Sequence, residues 1–386
     1  MTADIEEIYL RRPIATSKDP GKEFQLRLEA DDRHLGTIQI PAKEANDSDA
    51  FHPTHCPICS GDSLKKVHCF TAKQTAEAFF PLHRDERRHN DLVRNIEGLW
   101  RGPTCEVVEC GACRFTFPIP YVAGNQEFYE LAYGLPSYPG NRWEYGRAIK
   151  FLEGLPLSDS RRILELGAGV GEFIRTVLPI PGFGPDQIVA TDYLSHSVNE
   201  LRKLGVDAQS ASVFELAAIP GNRRSFDAVC AFQSIEHMAN VRGIVVAIKG
   251  MLKPGGLAIV SVPHGPAIEF NERHLNSFDW PPNHVGRWYR ETFVALASRA
   301  DLELLAHEIE PPRPFQLLWE AMVYYIHGVS ASKPRSLAGK AQAVQNRVVR
   351  RIFSAAVGSV GLLPALPAIF RLRSGYSQLA VLRNPE

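Results

Sequence analysis

An α/β fold built on a mostly parallel sheet is what this sequence predicts, on three observations. Compact apolar runs recur at Ile163–Leu166, Ile188–Thr191 and Phe226–Phe232, and in the run ending at Pro263. Stretches of helical periodicity separate them, which implies right-handed βαβ units. A glycine-rich turn, Gly167-Ala168-Gly169-Val170-Gly171, follows the first run directly. With 386 residues the chain can hold one large α/β domain and a smaller appended one.

The first element is the run Ile163 to Phe173. Its glycines let the backbone turn sharply and approach a ligand closely. The helix that opens after them offers free N–H groups to a polar ligand. The spacing is G-x-G-x-G, not the G-x-G-x-x-G of dinucleotide folds. That difference, with Glu165 just ahead of the first glycine, points to S-adenosylmethionine rather than NAD. A plain βα loop is the bland alternative.

The second element ends in Asp192, about 20 residues past the glycines, where an acidic side chain meets ribose hydroxyls in nucleotide-binding units. A carboxylate accepts both hydrogen bonds of a vicinal diol. The competing role is a cap on the following helix, which opens near Ser195. The third is Phe226–Phe232, a run typical of a buried parallel strand, leading into Gln233-Ser234-Ile235-Glu236-His237. The fourth reads as a helix end at Met251, a Pro254-Gly255-Gly256 turn and a further strand to Pro263.

Taken in order, ILELGAGVGEF, VATDYLSHSV, SFDAVCAFQSIEHM and LKPGGLAIVSVP resemble the class I S-adenosylmethionine-dependent methyltransferases. The resemblance covers about residues 145–310 and returns in Tyr376–Leu382. It implies a Rossmann-like seven-stranded, mostly parallel sheet with helices on both faces. It places Glu165, Gly167, Gly169 and Gly171 at the methionine part of the cofactor and Asp192 at the ribose. Where the family often has an adenine-binding Asp, this chain has Ser210-Ala211-Ser212-Val213, so Ser212 is the available acceptor. Gln233 falls where the family lines the cofactor and acceptor pocket.

Upstream, two C-x-x-C pairs stand at Cys56/Cys59 and Cys110/Cys113. Each suits a zinc knuckle, in which a tight turn points two thiolates at one metal. One structural Zn²⁺ on these four cysteines is the expectation. Cys69, Cys105, His55 and His68 are alternative ligands, and unligated or redox-paired cysteines are the alternative reading. Fifty residues separate the pairs, so an insertion lies between the knuckles. The stretch Glu106 to Pro118 resembles the zinc-ribbon lead-in of a bacterial subgroup that modifies sugars, glycan precursors or secondary metabolites, and Phe128–Tyr133 with Tyr138 fits its aromatic linker helix.

Seven cysteines are too few for a disulfide scaffold. With no recognisable signal peptide, a cytoplasmic setting is expected. Formal charge is zero, yet no acidic residue lies between Glu320 and Glu386. That interval carries Lys333, Arg335, Lys340, Arg347, Arg350, Arg351, Arg371, Arg373 and Arg383, around an uncharged run from Ile352 to Phe370. Pro364 and Pro367 break any single spanning helix, so the segment predicts a packed helical insertion, with peripheral contact to an anionic membrane as a second expectation.

The domains expected are an N-terminal extension (1–50), a zinc-ribbon-like module with its insertion (51–125), linker helices (126–160), the cofactor domain (161–310), the basic and apolar insertion (311–374) and the final strand (375–386). Phe24–Glu29 alternates like a strand.

The activity implied is methyl transfer to a small molecule or sugar-bearing precursor, by in-line displacement. His237 and His284 are the leading general-base candidates, ahead of His264 and His274, because histidine titrates near neutral pH. Trp288, Tyr289 and Tyr129 are candidates for an aromatic acceptor wall, with core packing as the alternative. An RNA-modifying methyltransferase is the runner-up; neutral charge and no basic-aromatic run near the knuckles weigh against it. A non-catalytic cofactor-binding protein is the third reading. Glycine spacing and the lack of a Tyr-x-x-x-Lys pair beside the fourth strand exclude an NAD-dependent reductase.

Overall fold

The computed structural model describes residues 52–133, 142–156, 161–274, 279–313, 335–363 and 374–385, with positions 318, 326, 366 and 367. The chain divides into Met1–Glu44 and Ala45–Glu386, and everything below concerns the second unit. The strand expected at Phe24–Glu29, with Tyr138, Lys333, Arg371 and Arg373, lies outside the described residues.

The first layer is a three-stranded antiparallel sheet, β1 (Leu64–Thr71), β2 (Thr104–Cys110) and β3 (Thr116–Ile119), in that order. The inter-knuckle insertion is helical: α1 (Ala72–Phe79) and α2 (Glu86–Trp100) connect β1 to β2. Thr71 and Gln74 form a reciprocal capping box on α1, and Asp85 caps α2 by accepting from the Arg88 N–H. Leu92, Val93, Ile96 and Trp100 form the buried stripe of α2, spaced so that they share one helix face. α3 (Gln126–Ala132) and α4 (Trp143–Glu153) lead into the larger layer.

The larger layer is a seven-stranded sheet in the order β6-β5-β4-β7-β8-β10-β9. Its strands are β4 (Ile163–Leu166), β5 (Ile188–Thr191), β6 (Asp207–Gln209), β7 (Phe226–Phe232), β8 (Leu252–Pro263), β9 (Glu303–Ile309) and β10 (Ser377–Arg383). The pairs β4–β5, β4–β7, β5–β6 and β7–β8 are parallel, while β10 runs antiparallel between β8 and β9. All four residues of β4 and of β5 are buried, as strands covered on both faces require. Asp227 ties the lower edge: its carboxylate accepts from the Arg162 N–H at 2.8 Å and from Lys253 at 2.7 Å.

β8 departs from the expected turn and strand. Pro254-Gly255-Gly256 lies inside the strand as an irregularity, where the register with β7 shifts. Gly255 has φ +77°, and a Cβ on Gly256 would stand 2.9 Å from the Lys253 carbonyl oxygen, so both positions require glycine.

The last strand returns to the sheet as expected. Between β9 and β10 the chain forms helices at Leu337–Gln342 and Arg347–Leu362. Among the described residues, no helix is long and apolar enough to cross a membrane.

The two layers share one core. Ile58, Phe115, Phe117 and Tyr121 of the cysteine-rich module belong to the same buried cluster as Val260, Val262, Trp288 and Phe293. Phe115 meets Trp288 edge-on at 5.2 Å, and Trp288 stacks on Phe293 at 5.1 Å. On the large sheet follow α5 (Glu172–Val177), α6 (Ser195–Lys203), α7 (Val213–Ala218), α8 (Val241–Met251), α9 (Gly265–His274) and α10 (Arg290–Arg299), and backbone bonds between Thr116 and Arg287 staple β3 to the segment ahead of α10. The opposite sheet face holds a second cluster, with Tyr145, Phe173 and Phe232 mutually in contact.

Candidate active site and cysteine cluster

The site forms at the carboxyl ends of β4, β5, β7 and β8, where open α/β sheets bind ligands. Gly167, Gly169 and Gly171 have φ of +69°, +55° and +85°, the left-handed region in which side chains are strained. A Cβ on Gly171 would also stand 2.7 Å from Leu204 Cδ1. The Gly169 N–H donates to Asp192 Oδ2 at 2.9 Å, and the Leu194 N–H donates to Oδ1 at 2.9 Å. Asp192 therefore fixes the loop itself and the turn after β5. Burial raises its carboxyl, against these bonds that lower it.

Glu165 lies inside β4, 3% exposed, and its Oε2 has no hydrogen-bond partner. Burial pushes its carboxyl well above the usual range; the Arg142 guanidinium opposes that shift and Asp192 adds to it. Both features fit a cationic ligand over the loop. Gln233, at φ +50°, donates from its side chain toward Ser377 Oγ at 3.3 Å. Ser212 has another occupation: its hydroxyl caps the helix Val213–Ala218 by accepting from the Glu215 N–H. Tyr193, directly after Asp192, is 73% exposed and went unnoticed in the sequence.

A second group gathers after β7. Glu236 and His237 sit on a single 3₁₀ turn, Ile235–His237, beneath the segment that carries His284. One ligating atom from each of Glu236, His237 and His284 lies within 4.8 Å of the others. The His237 and His284 rings meet edge-on at 4.6 Å. His237 Nδ1 lies 2.9 Å from the Asn283 carbonyl oxygen and 3.2 Å from the Tyr129 hydroxyl. A carbonyl only accepts, so Nδ1 carries the hydrogen and Nε2 the lone pair. Burial pushes His237 down to about 3, so it is neutral at pH 7. His284 Nδ1 stands 2.9 Å from Asp279 Oδ1, an ion-pair distance without full hydrogen-bond alignment. Burial pulls His284 down, but Asp279 overrides it and the net shift is upward.

Glu236 is the residue that sequence reasoning passed over. It is 1% exposed, and neither carboxylate oxygen has a hydrogen-bond partner. Burial pushes it up to about 7, against His284. Its position beside His237 was the available signal. Of the other two candidates, His264 has its Nδ1 3.0 Å from Ser374 Oγ, and the side chain of His274 lies outside the described residues. Trp288 belongs to the core, and Tyr289 donates to Glu269 at 2.7 Å, so packing accounts for both.

The four cysteines form two matching knuckles. Ser60 N donates to the Cys56 carbonyl and Arg114 N to the Cys110 carbonyl, with φ +62° at both Ser60 and Arg114. Cys56 N donates to Gly61 O, and Cys110 N to Phe115 O, closing both turns alike. The sulfur pairs Cys56–Cys113 and Cys59–Cys110 are 3.6 and 3.5 Å apart. A tetrahedral site with Zn–S bonds near 2.3 Å has sulfur–sulfur edges of about 3.8 Å, so the cluster fits such an ion. The close contact between the Cys56 and Cys113 sulfurs, in which either can donate, lowers one thiol of the pair, Cys56, and raises the other, Cys113. Cys105 is buried apart from this group, directed at the Glu106 carbonyl. The knuckles are anchored to α10 through Thr292, which donates to Cys113 O at 2.9 Å, and Arg299, which donates to Cys59 O at 2.6 Å.

Residues 141–307 match a family described as "Methyltransferase domain". That match assigns a methyltransferase-type domain to this stretch, which is less than half of the chain. No curated protein sequence matches it significantly. Among solved structures it is similar to phosphoethanolamine N-methyltransferase 2 of Haemonchus contortus in complex with S-adenosyl-L-methionine, at 15% identity and TM-score 0.42, over 67% of this chain and 56% of that one. It is also similar to a SAM-dependent methyltransferase from Archaeoglobus fulgidus, at 14% identity and TM-score 0.40, over 62% of this chain and 92% of that one.

Proposed function

We propose that this enzyme transfers the methyl group of S-adenosylmethionine to a small-molecule or sugar-bearing acceptor held over Glu236, His237 and His284. The observation that carries the reading is the buried Glu165, whose Oε2 has no hydrogen-bond partner, beside three glycines in left-handed conformation. Glu165 would meet the cofactor's cationic methionine part, and the glycine loop would let it lie close to the backbone. Each Asp192 oxygen keeps acceptor capacity beyond its one backbone bond, enough for a ribose diol. Tyr193 offers an exposed aromatic face next to it. When bound, S-adenosylmethionine supplies a methyl group already activated by its sulfonium charge.

The chain's own part is to align the acceptor and exclude water. A hydroxyl acceptor gains from a base whose pKa lies near the working pH. Glu236, at about 7, matches that need better than His237, at about 3. His237 then orients the acceptor through Nε2, with its tautomer held by the Asn283 carbonyl. The four cysteines hold one structural Zn²⁺, which would fix β2, β3 and α10 to one another. Incubation of candidate precursors with methyl-labelled cofactor, followed by mass spectrometry, tests the reading: a labelled product names the acceptor. Cofactor turnover with no labelled product among sugar-bearing and small-molecule precursors would count against this acceptor class.

A further inference from the structure

We propose that Glu236, His237 and His284 form a second metal site, taking a divalent first-row transition ion separate from the four-cysteine cluster. Three observations carry it. The ligating atoms of the three side chains converge within 4.8 Å, from two segments nearly fifty residues apart. Glu236 is buried with both oxygens unpartnered, which is costly for a carboxylate unless a cation meets it. Each imidazole already has its Nδ1 turned to a fixed oxygen, His237 to the Asn283 carbonyl and His284 to Asp279. Metal-bound histidines are held in this way, with the far nitrogen facing the ion.

The charges agree with a cation. Glu236 and Asp279 place two carboxylates at the cluster, and Asp279 is 3% exposed. Arg142 and Arg287 are the basic groups that act on it. Two nitrogens and one oxygen favour a transition ion over calcium or magnesium, which take oxygen donors. Three protein ligands leave positions open, as in catalytic rather than structural sites. With the ion bound, Glu236 and His237 hold it instead of acting on the acceptor directly, and the open positions would take oxygens of the acceptor; this last step rests on the function proposed above, whereas the metal site does not.

The experiment is a Co²⁺ titration of the full chain carrying one zinc per chain, any further zinc having been removed by a mild chelator, followed by absorption spectroscopy and calorimetry. The expected result is one Co²⁺ per chain without a thiolate-to-cobalt charge-transfer band, because the thiolates are already occupied. Glu236→Gln and His284→Gln should each weaken binding about tenfold or more. Asp279→Asn should weaken it less, since it touches no ion. Folded wild-type protein that binds no Co²⁺ would overturn the site, as would binding left unchanged by both ligand variants. Should a variant fail to fold, the wild-type titration alone decides. An S-adenosylmethionine titration on the same preparation reads the methyltransferase assignment independently, so either idea can fail without the other.

Discussion

Gly169 and Asp192 are joined by a 2.9 Å hydrogen bond, the loop amide donating to the carboxylate at the end of the next strand. The bond makes the acidic residue part of the loop's construction as well as a candidate ribose ligand. Asp192→Ala removes this contact and the one from the Leu194 amide together. It should weaken cofactor binding by about 1–3 kcal/mol, as expected for lost charge-assisted hydrogen bonds. Calorimetric titration beside a thermal melt checks it. An affinity unchanged in a folded variant would remove Asp192 from the site.

Glu165 should show a trade-off between stability and binding. Its carboxyl is raised in the folded chain, so the folded state holds a proton that the unfolded state has lost. The stability this adds is fully present below the unfolded value, near 4.5, and is lost as pH rises through the folded value. Glu165→Gln should therefore raise the stability of cofactor-free protein at neutral pH and flatten this part of the pH dependence. The same change should weaken binding of a cationic cofactor. Denaturant unfolding from pH 5 to 8, for both proteins, reads the first effect, and titration reads the second. A variant less stable than wild type at pH 8 would contradict the assignment.

Zinc removal should loosen more than the knuckles. Phe115 follows Cys113 by two residues and packs on Trp288, and Thr292 holds the Cys113 carbonyl. Metal analysis should find one zinc released with the four cysteine thiols, and the melting temperature should fall on chelation, because thiolate ligation couples to folding. Well under one zinc per chain in freshly purified protein, with four freely titrating thiols, would defeat this expectation.

The helix Arg347–Leu362 should bind anionic lipid reversibly. Val348, Val349, Ile352 and Val360 are exposed on it, and Arg350 and Arg351 lie on the same helix. Basic residues beside an exposed apolar stripe are what an interfacial helix needs. Co-sedimentation with vesicles containing phosphatidylserine should be strong at low salt and fall as salt rises. Ile352→Glu should reduce it. Equal binding to neutral vesicles, insensitive to salt, would contradict the electrostatic part.

Much of this arrangement was legible in the sequence because local chemistry dictates it. The runs ILEL and IVAT are too short and too apolar to be anything but buried strands, and the glycines between them have φ values that other residues resist. The cysteine pairs announced their cluster through spacing alone. What stayed hidden depends on distant packing. Glu236 is buried only because the Asp279–Trp288 segment folds over it, with the Val285 amide donating to its carbonyl at 2.7 Å. For Trp288 the sequence left a pocket wall and core packing both open, and it lies in the core, because Phe115 and Phe293 enclose it. The helices between the knuckles carried a readable signal, the apolar face Leu92, Val93, Ile96 and Trp100, that the cysteine spacing overshadowed.

The most direct test of the central claim is a calorimetric titration of the purified chain with S-adenosylmethionine, its demethylated product and NAD. The account predicts saturable binding of the first two at one site per chain, weakened by Asp192→Ala and by Glu165→Gln, and no binding of NAD. Binding of NAD without S-adenosylmethionine would contradict it.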